Sequence, residues 1–316
     1  MRSSMFLVQP TVIDHAYIDD KGRVAGGSFN PNFVISGEVD EKEKVVVDFS
    51  SVKKKLKSII DDRETGFDHK LWVLRNWSNF EISELDEHTY SITTPAVRLI
   101  TPRNAVKVLD LADSYCPAEI GVELMLHLQG ALRQSYPGVN IDVEVHNESR
   151  MQLMHMAPRM VEGQVWCADM FTYVHGLKDS TSWGCQNCNH GHLSFVQLFY
   201  TIDENLRFVG HQDPRELARE ISEYLDGSIF IYEANLVRAQ EGNVSSYISI
   251  EYTAERGTFK AEYDPTKLKV RVLPTETTVE YLVEHVLEVF GDRLREAGVT
   301  RIYLSEGLSK GAMAKL

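Results

Sequence analysis

The chain has 316 residues, 43% of them hydrophobic, and a formal net charge of −13 at pH 7. That length and apolar content allow a full hydrophobic core and suggest about two domains, which excludes a disordered chain. The acidic charge argues against nucleic acid as the main partner, while a local basic pocket for a phosphorylated small molecule stays compatible with it.

The sequence pattern predicts no targeting segment. The N-terminal MRSSMFLVQP has no apolar run long enough for a signal peptide, and no window approaches the roughly 18 apolar residues of a membrane span. We therefore expect a cytoplasmic protein with no membrane partner. The cysteines are too few and too unevenly spaced for a disulfide framework, so we expect them to be reduced. They are Cys116, Cys167, Cys185 and Cys188.

The first half of the chain predicts strands, a helix, further strands and a second helix. The text from Met5 to Asp19 reads as one strand, and NFVISGEVDEKEKVVVDF reads as a hairpin with a charged turn at 40–44. SVKKKLKSII has apolar residues at helical spacing, and Ser50 or Ser51 could cap it. A second helix is predicted from about Pro117 to Gln134, followed by a strand in VNIDVEVHNE.

The second half repeats this order of elements. After a Met-rich link at 151–160, the segments WCADMFTYVHGL, NHGHLSFVQLF, DPRELAREISEYLDG, PTETTVEYLVEHVLEVF and TRIYLSEG follow in turn. Each half therefore reads strand, strand, helix, strands, helix, strand, which predicts two tandem domains, 1–150 and 161–316.

Aligning the two copies suggests that they have divided the chemistry. The second copy has three histidines, and the first has an aspartate–histidine pair. The aligned positions are His175 with His15, His190-Gly191-His192 with Asn30-Pro31-Asn32, and Asp226-Gly227 with Asp68-His69.

The HisGlyHis sequence is the strongest chemical signal. His190 and His192 precede an alternating run and would lie on one face of a strand, because side chains along a strand repeat every two residues. His175 lies upstream across a polar stretch that could turn the chain back. Three imidazoles with an open fourth position are typical of catalytic zinc. The alternative is a pair of solvent-facing strand histidines.

These residues resemble the 6-pyruvoyl-tetrahydropterin synthase and 6-carboxytetrahydropterin synthase family, which is built on the tunnelling fold. The resemblance implies an α+β protein of two tandem tunnelling-fold domains, each a four-stranded antiparallel sheet with two helices on one face. It also implies that His175, His190 and His192 bind Zn²⁺. The ordinary member is a single short domain, so a tandem fusion departs from the pattern.

In that family a cysteine shortly before HisGlyHis is the base, and an aspartate–histidine pair from a neighbouring subunit completes the catalytic group. Asp68 and His69 look like that pair. Cys185 is favoured as the base, because Cys188 lies so close to His190 that it could reach over the metal only with difficulty. Both cysteines could instead form a structural CysXXCys clip or be inert thiols.

The family resemblance also suggests substrate contacts. Glu306 is similar to a glutamate that anchors the pterin ring, and Glu148 is a weaker match in the first copy. Thr275 belongs to a ProThr similar to the family's helix start. Glu306 could instead be an ordinary acid at a strand end. Candidates for the triphosphate remain open among Lys53, Lys54 and Lys310.

The implied reaction is that of a zinc-dependent lyase acting on 7,8-dihydroneopterin triphosphate, with the product and the pathway (deazaguanine, folate or cofactor pterin) left open. One alternative is a non-catalytic zinc-bearing pterin or purine binding protein. Another is an enzyme that cleaves the dihydroneopterin side chain, of the aldolase type. Family members form trimers stacked into hexamers, so we expect a homo-trimer of tandem chains with one zinc per chain, the site lying within one chain or between chains.

Overall fold

A computed structural model describes seven stretches of the chain: 1–75, 80–111, 115–147, 164–205, 207–237, 246–308 and 310–316. The predicted link at 151–160 lies outside the described residues, and the division into domains at 150 and 161 stays a prediction. No helix within these stretches is long and apolar enough to cross a membrane.

Both halves combine strands with two long helices. The first half contains β1 (Arg2–Leu7), β2 (Ile13–Ile18), β3 (Val24–Glu38), α1 (Phe49–Ile60), β4 (Lys70–Leu74), β5 (Glu81–Glu84), β6 (Thr89–Thr93), β7 (Val97–Pro102), β8 (Val106–Leu109), α2 (Pro117–Ser135) and β9 (Asn140–Asn147). The second half contains β10 (Gln164–His175), β11 (His190–Thr201), α3 (Pro214–Leu225), β12 (Ser228–Tyr232), β13 (Ile248–Ala254), β14 (Gly257–Tyr263), β15 (Lys269–Leu273), α4 (Val279–Glu296), β16 (Val299–Glu306) and β17 (Lys310–Lys315).

The start of the chain differs from the prediction in two places. The expected single strand from Met5 is split into β1 and β2, because Gln9 takes a positive φ of 46° and the following Pro10 has no N–H to donate. The expected hairpin over the charged turn is absent, since β3 ends at Glu38 and VVVDF forms no strand. Helix α1 is capped by the Asp48 carboxylate, which accepts from Ser51 N at 2.8 Å, and not by a serine.

The α+β class is confirmed, and each main sheet is wider than the predicted four antiparallel strands. The first sheet has the order β1-β3-β2-β4-β8 with β9 also paired to β3, and the second has the order β15-β12-β10-β11-β16-β17. β4 runs parallel to β2, and β12 runs parallel to β10. Helix α1 connects β3 to β4, and α3 connects β11 to β12. Because each helix crosses over the sheet, β4 can pair parallel with β2, and β12 can pair parallel with β10.

The two helices of each half cover one face of its sheet. Helices α1 and α2 bury apolar stripes against the first sheet, and α3 and α4 do so against the second. A third sheet, β13-β14-β7-β6-β5, combines strands of both halves, with β14 antiparallel to β7. The core beneath it is formed by residues of all three sheets, so the halves are joined by continuous apolar packing.

Strand register corrects the alignment of the two copies. His15 pairs with Lys70, and its counterpart Tyr173 pairs with Ser228. Tyr17, not His15, therefore occupies the place of His175. The same register aligns β3 with β11. It places Ala25, Gly26 and Gly27 of β3 at the positions of His190, Gly191 and His192 of β11. The predicted match to Asn30-Pro31-Asn32 is wrong, because β3 is long and continues past the paired segment.

The turn that contains Asp68 and His69 has the same geometry as the turn that contains Asp226 and Gly227. The Asp68 carboxylate accepts from Asp14 N at 2.9 Å, and the Asp226 carboxylate accepts from Thr172 N at 2.8 Å. The residue after each aspartate has a positive φ, 54° for His69 and 67° for Gly227. Only the first half carries an imidazole at this turn.

Candidate metal centre and cysteine–histidine pair

Three histidines of the second half converge in the interior of the chain. His175 ends β10 and pairs in register with His190, the first residue of β11, while His192 follows on the same face. All three are 0% exposed. The Nε2 atoms of His175 and His192 lie 3.2 Å apart, and one atom from each histidine and from Glu306 lie within 4.8 Å of one another.

Each of these rings has its Nδ1 atom beside an acceptor. The pairs are His175 Nδ1 with Thr277 O at 2.8 Å, His190 Nδ1 with Asn187 O at 2.9 Å, and His192 Nδ1 with Asp14 Oδ2 at 3.3 Å. Carbonyl and carboxylate oxygens only accept, so the proton of each neutral ring belongs on Nδ1. Each Nε2 then presents a lone pair to the common centre, as in metal-bound histidines.

This arrangement fits a zinc ion. Two lone pairs facing each other at 3.2 Å form no hydrogen bond, whereas ligands about 2 Å from a tetrahedral ion lie roughly 3.3 Å apart. His190 Nε2 has no hydrogen-bond partner in the described chain. Burial, with His192 nearby, lowers the pKa of His175 to about 3, and burial also lowers the pKa of His190, so both rings are neutral donors. Neutral imidazoles suit zinc.

The Glu306 carboxylate lies at the edge of this cluster. Its Oε1 is 3.8 Å from His175 Nε2 and 3.7 Å from His192 Nε2. Its Oε2 is 3.2 Å from Lys310 Nζ. Burial raises the pKa of Glu306, but the neighbouring histidines and Lys310 outweigh this and hold the pKa below its usual 4.5. Glu306 is therefore an anion beside the histidines.

Asp14 of the first half contributes to the same centre and was not predicted from the sequence. It is 6% exposed and accepts from Ser28 Oγ at 2.5 Å, and the same Ser28 Oγ accepts from Leu193 N at 3.0 Å. Although burial alone would raise the pKa of Asp14, His192 and His69 hold it below its usual value. An acidic residue within the apolar TVIDHAYI strand was the available signal.

The predicted aspartate–histidine pair lies against the second half of the same chain. The Asp68 carboxylate is 2.6 Å from His69 Nδ1. The possible ligand atoms of His69, Cys185 and His190 all lie within 4.8 Å of one another. A Cβ added at Gly184 would be 2.9 Å from His69 Cγ, so the glycine lets this loop approach the ring.

Cys185 and His69 favour each other's charged form. Burial lowers the pKa of His69, but the Asp68 carboxylate and Cys185 outweigh burial and hold that pKa well above 6.5. Burial raises the pKa of Cys185, but the nearby His69 brings it below its usual 9.0. The pair can therefore hold a thiolate beside an imidazolium.

Cys188 has a different environment. Its thiol belongs to the apolar core shared by both halves and accepts from Asn189 Nδ2 at 2.9 Å. Burial raises its pKa to about 12. The geometry thus distinguishes the two candidates, with Cys185 facing His69 and Cys188 facing away, while the role of Cys185 as the base stays a prediction.

The remaining predicted contacts are spread out. Thr275 lines a small cleft beside α4, and Thr277 is the residue that reaches His175. Glu148 lies outside the described residues. Of the lysines considered for a triphosphate, Lys310 is next to Glu306, and the other two are exposed on α1.

Comparison with solved structures finds 6-pyruvoyltetrahydropterin synthases. The Plasmodium vivax enzyme is 18% identical, with coverage of 48% of this chain and 94% of its own and a TM-score of 0.38. For the Plasmodium falciparum enzyme the values are 18%, 46%, 91% and 0.36. For an uncharacterized protein from Wolinella succinogenes they are 17%, 48%, 97% and 0.31. No family model matches the chain, and no curated protein does.

Proposed function

We propose that the chain is a zinc-dependent lyase that acts on 7,8-dihydroneopterin triphosphate, with a chemistry similar to that of 6-pyruvoyl- or 6-carboxytetrahydropterin synthase. One observation carries the proposal. The Nε2 atoms of three buried histidines point at one centre, and the Cys185–His69 pair lies directly beside it. A metal-ligand set next to an activated thiol is suited to removing a proton from a carbon atom.

His175, His190 and His192 would hold the zinc ion. When bound, zinc would polarise the side-chain oxygens of the substrate and stabilise the negative charge that develops as a proton leaves. The Nδ1 hydrogen bonds of His175 and His190 orient those two rings, and the Asp14 carboxylate lies 3.3 Å from His192 Nδ1, where it can support the third.

Proton transfer is assigned to residues of both halves. The Cys185 thiolate accepts a proton from the carbon that bears a hydroxyl group, and the His69 imidazolium beside it donates one where the rearranging side chain gains a proton. Asp68 holds His69 by its Nδ1 atom at 2.6 Å, which orients the ring and balances its charge. Triphosphate leaves with its electron pair, and an internal redox rearrangement of the side chain then gives a pyruvoyl product. A carboxy product requires the further release of a two-carbon fragment.

Glu306 is assigned to substrate recognition. A carboxylate accepts two parallel hydrogen bonds from the amino group and ring N–H of a pterin. Its oxygens lie 3.7 Å or more from the histidine Nε2 atoms, which is longer than the roughly 3.3 Å between two ligands of one tetrahedral zinc. Lys310 Nζ, 3.2 Å from Glu306 Oε2, helps to keep this carboxylate ionised.

The proposal includes the assembly. Two tandem tunnelling-fold domains, 1–150 and 161–316, would let three chains supply six domains, with one zinc per chain. In the first half Tyr17, Ala25 and Gly27 stand at the histidine positions, so that half supplies no ligand set of its own. Mass measurement should give a trimer, and metal analysis should give one zinc; a stable monomer or two zincs would contradict this.

Product analysis tests the function. The protein is incubated with dihydroneopterin triphosphate, and the products are identified by mass spectrometry. Loss of triphosphate with a pyruvoyl or carboxy product supports the lyase. A hydroxymethyl product would indicate side-chain cleavage, and tight binding without turnover would indicate a binding protein. Cys185→Ser should abolish turnover, while Cys188→Ser, a matched thiol in the same loop, should retain it.

A further inference from the structure

The hairpin β13–β14 supports the loop that carries Cys185. Tyr252 OH on β13 donates to Gln186 O at 2.8 Å, and Tyr263 OH on β14 donates to Asn189 Oδ1 at 2.9 Å. Its two-residue turn contains Arg256, whose backbone N donates to Gln186 Oε1 at 2.9 Å. The hairpin thus contacts the cysteine loop at several points along its length.

The Arg256 guanidinium contacts both halves of the candidate site. It is 3% exposed, and its Nη1 donates to His69 O at 3.1 Å and to Gly184 O at 2.8 Å. Its Nη2 donates to Asn104 O at 2.8 Å. The guanidinium carbon lies 4.1 Å from the centre of the Trp183 ring, which supports the cation from one side.

This buried cation has no carboxylate partner within ion-pair distance in the described chain. Burial lowers the pKa of Arg256 to about 10, so it stays charged at neutral pH. Its hydrogen bonds to three backbone carbonyls offset part of the cost of burying the charge. One of these carbonyls belongs to His69, and another belongs to the residue before Cys185.

The backbone at His69 gives this contact a specific consequence. His69 has a φ of 54°, a left-handed conformation that glycine adopts without strain, and Gly227 has it at the equivalent turn of the other half. Its N–H donates to Asp14 O at 2.7 Å, and its carbonyl accepts from Arg256 and from Asn187 Nδ2 at 3.3 Å. These contacts hold a strained peptide that aims the imidazole at Cys185.

We propose that Arg256 is a positioning residue. By donating to the carbonyls of His69 and Gly184, it sets the distance and direction between the His69 and Cys185 side chains. Arg256 lies outside the metal-ligand set, so its removal should separate the two side chains without emptying the zinc site. The assignment rests on the proposed function for its meaning in catalysis, while the geometry it predicts can be tested through the Cys185 thiol alone.

The test compares Arg256→Gln with Arg63→Gln in the full chain. Arg63 is a matched control, since its guanidinium lies 5.2 Å from the same Trp183 ring but its side chain is 62% exposed. Alkylation by iodoacetamide at one fixed pH is followed by peptide mass spectrometry, with Cys116 as internal reference. Zinc content, near-ultraviolet circular dichroism and, where turnover is found, kcat and KM are measured on the same samples.

We expect Arg256→Gln to slow alkylation of Cys185 by about tenfold relative to Cys116 while keeping its zinc and its dichroism. If the protein turns over, kcat should fall by about 100-fold with little change in KM. Arg256→Lys should recover only part of the loss, because an ammonium lacks the planar set of donors with which the guanidinium reaches three carbonyls. Arg63→Gln should behave as the parent chain does.

Two results would overturn the assignment. One is an alkylation rate in folded Arg256→Gln equal to that of Arg63→Gln. The other is joint loss of zinc, dichroism and thiol reactivity in both Arg256 variants, which would show a general role in folding. A parent chain without turnover would contradict the proposed function and would leave the alkylation comparison decisive for Arg256.

Discussion

Gly26 and Gly191 lie against each other where the strands of the two halves cross. A Cβ on Gly191 would be 2.5 Å from Gly26 Cα, and a Cβ on Gly26 would be 2.2 Å from Tyr173 O. The two glycines occupy equivalent register positions in their hairpins, so the halves meet with approximate two-fold symmetry. The glycine of HisGlyHis therefore allows close approach of Asp14 and the His69 turn to the histidines.

This packing predicts a large cost for one methyl group. Gly26→Ala should destabilise the chain by about 3 kcal/mol, because the new Cβ meets backbone atoms that cannot move aside. Gly130→Ala is the control, since Gly130 lies in α2 with nothing within 4 Å of its Cβ position, and it should gain about 0.5–1 kcal/mol. Urea unfolding measures both. Equal midpoints for Gly26→Ala and the parent chain would show that the halves do not approach so closely.

Much of this architecture could be predicted from local patterns. The helical periodicities located α1 to α4, and the spacing of His175, His190 and His192 indicated a metal site, because both signals depend only on neighbouring positions. The repeat was found as well, but its register was not. Insertions shift an alignment of two divergent copies, whereas the hydrogen-bonded pairing of the strands fixes it.

The contributions of Asp14 and Arg256 could not be predicted for a related reason. Asp14 is far in sequence from His192, and Arg256 is far from His69. The contact of Asp14 with His192 requires that β2 and β3 pack against β11. The contact of Arg256 with His69 requires that β14 pair with β7. The sequence shows an acidic residue in an apolar strand and an arginine in a turn, and neither pattern specifies a partner.

Asp14→Asn should weaken zinc binding without unfolding the chain. The carboxylate is 3.3 Å from His192 Nδ1, and loss of such a support to a ligating histidine lowers metal affinity by about 10- to 100-fold. Competition with a coloured chelator measures the affinity. Asp19→Asn, a change in the turn of the same hairpin, is the control. Unchanged affinity in Asp14→Asn would argue against orientation of His192 by the first half.

His15 predicts a pH dependence of stability. Its ring stacks on Trp72 at a centroid distance of 3.8 Å and lies near-parallel to Phe29 at 4.9 Å, and burial lowers its pKa from 6.5 to about 4. Between pH 6.5 and pH 4 the unfolded chain therefore binds more protons at His15 than the folded chain does. The contribution of neutral His15 to the free energy of unfolding is fully present above pH 6.5 and is lost as the pH falls toward 4. The free energy of unfolding should therefore fall by roughly 3 kcal/mol over this pH range through His15.

The His15→Phe variant keeps a stacked ring without a titrating group. Its free energy of unfolding should fall less steeply than that of the parent chain between pH 6.5 and pH 4, as measured by urea unfolding at several pH values. The comparison uses the slope and not the absolute stability, since the larger ring also changes packing. Parallel curves for the two proteins would contradict a buried, neutral His15.

Glu306→Gln separates substrate anchoring from metal binding. An amide can accept one hydrogen bond but not two parallel ones from a pterin edge, so KM should rise by about tenfold or more while one zinc per chain is retained. Glu296→Gln, at the exposed end of α4, provides a neutral control. Loss of zinc from Glu306→Gln with an unchanged KM would make Glu306 a ligand instead.

The account depends most on a centre shared by the two halves of one chain. His69→Gln tests it most directly, with zinc content and turnover of dihydroneopterin triphosphate measured on the same preparation and His88→Gln, exposed by 83% at its side chain, as the control. We predict one zinc per chain and a fall in kcat of about 10²- to 10⁴-fold for His69→Gln, with His88→Gln unchanged. Turnover equal to that of the parent chain, or loss of zinc together with activity, would contradict the division of metal binding and proton transfer between the halves.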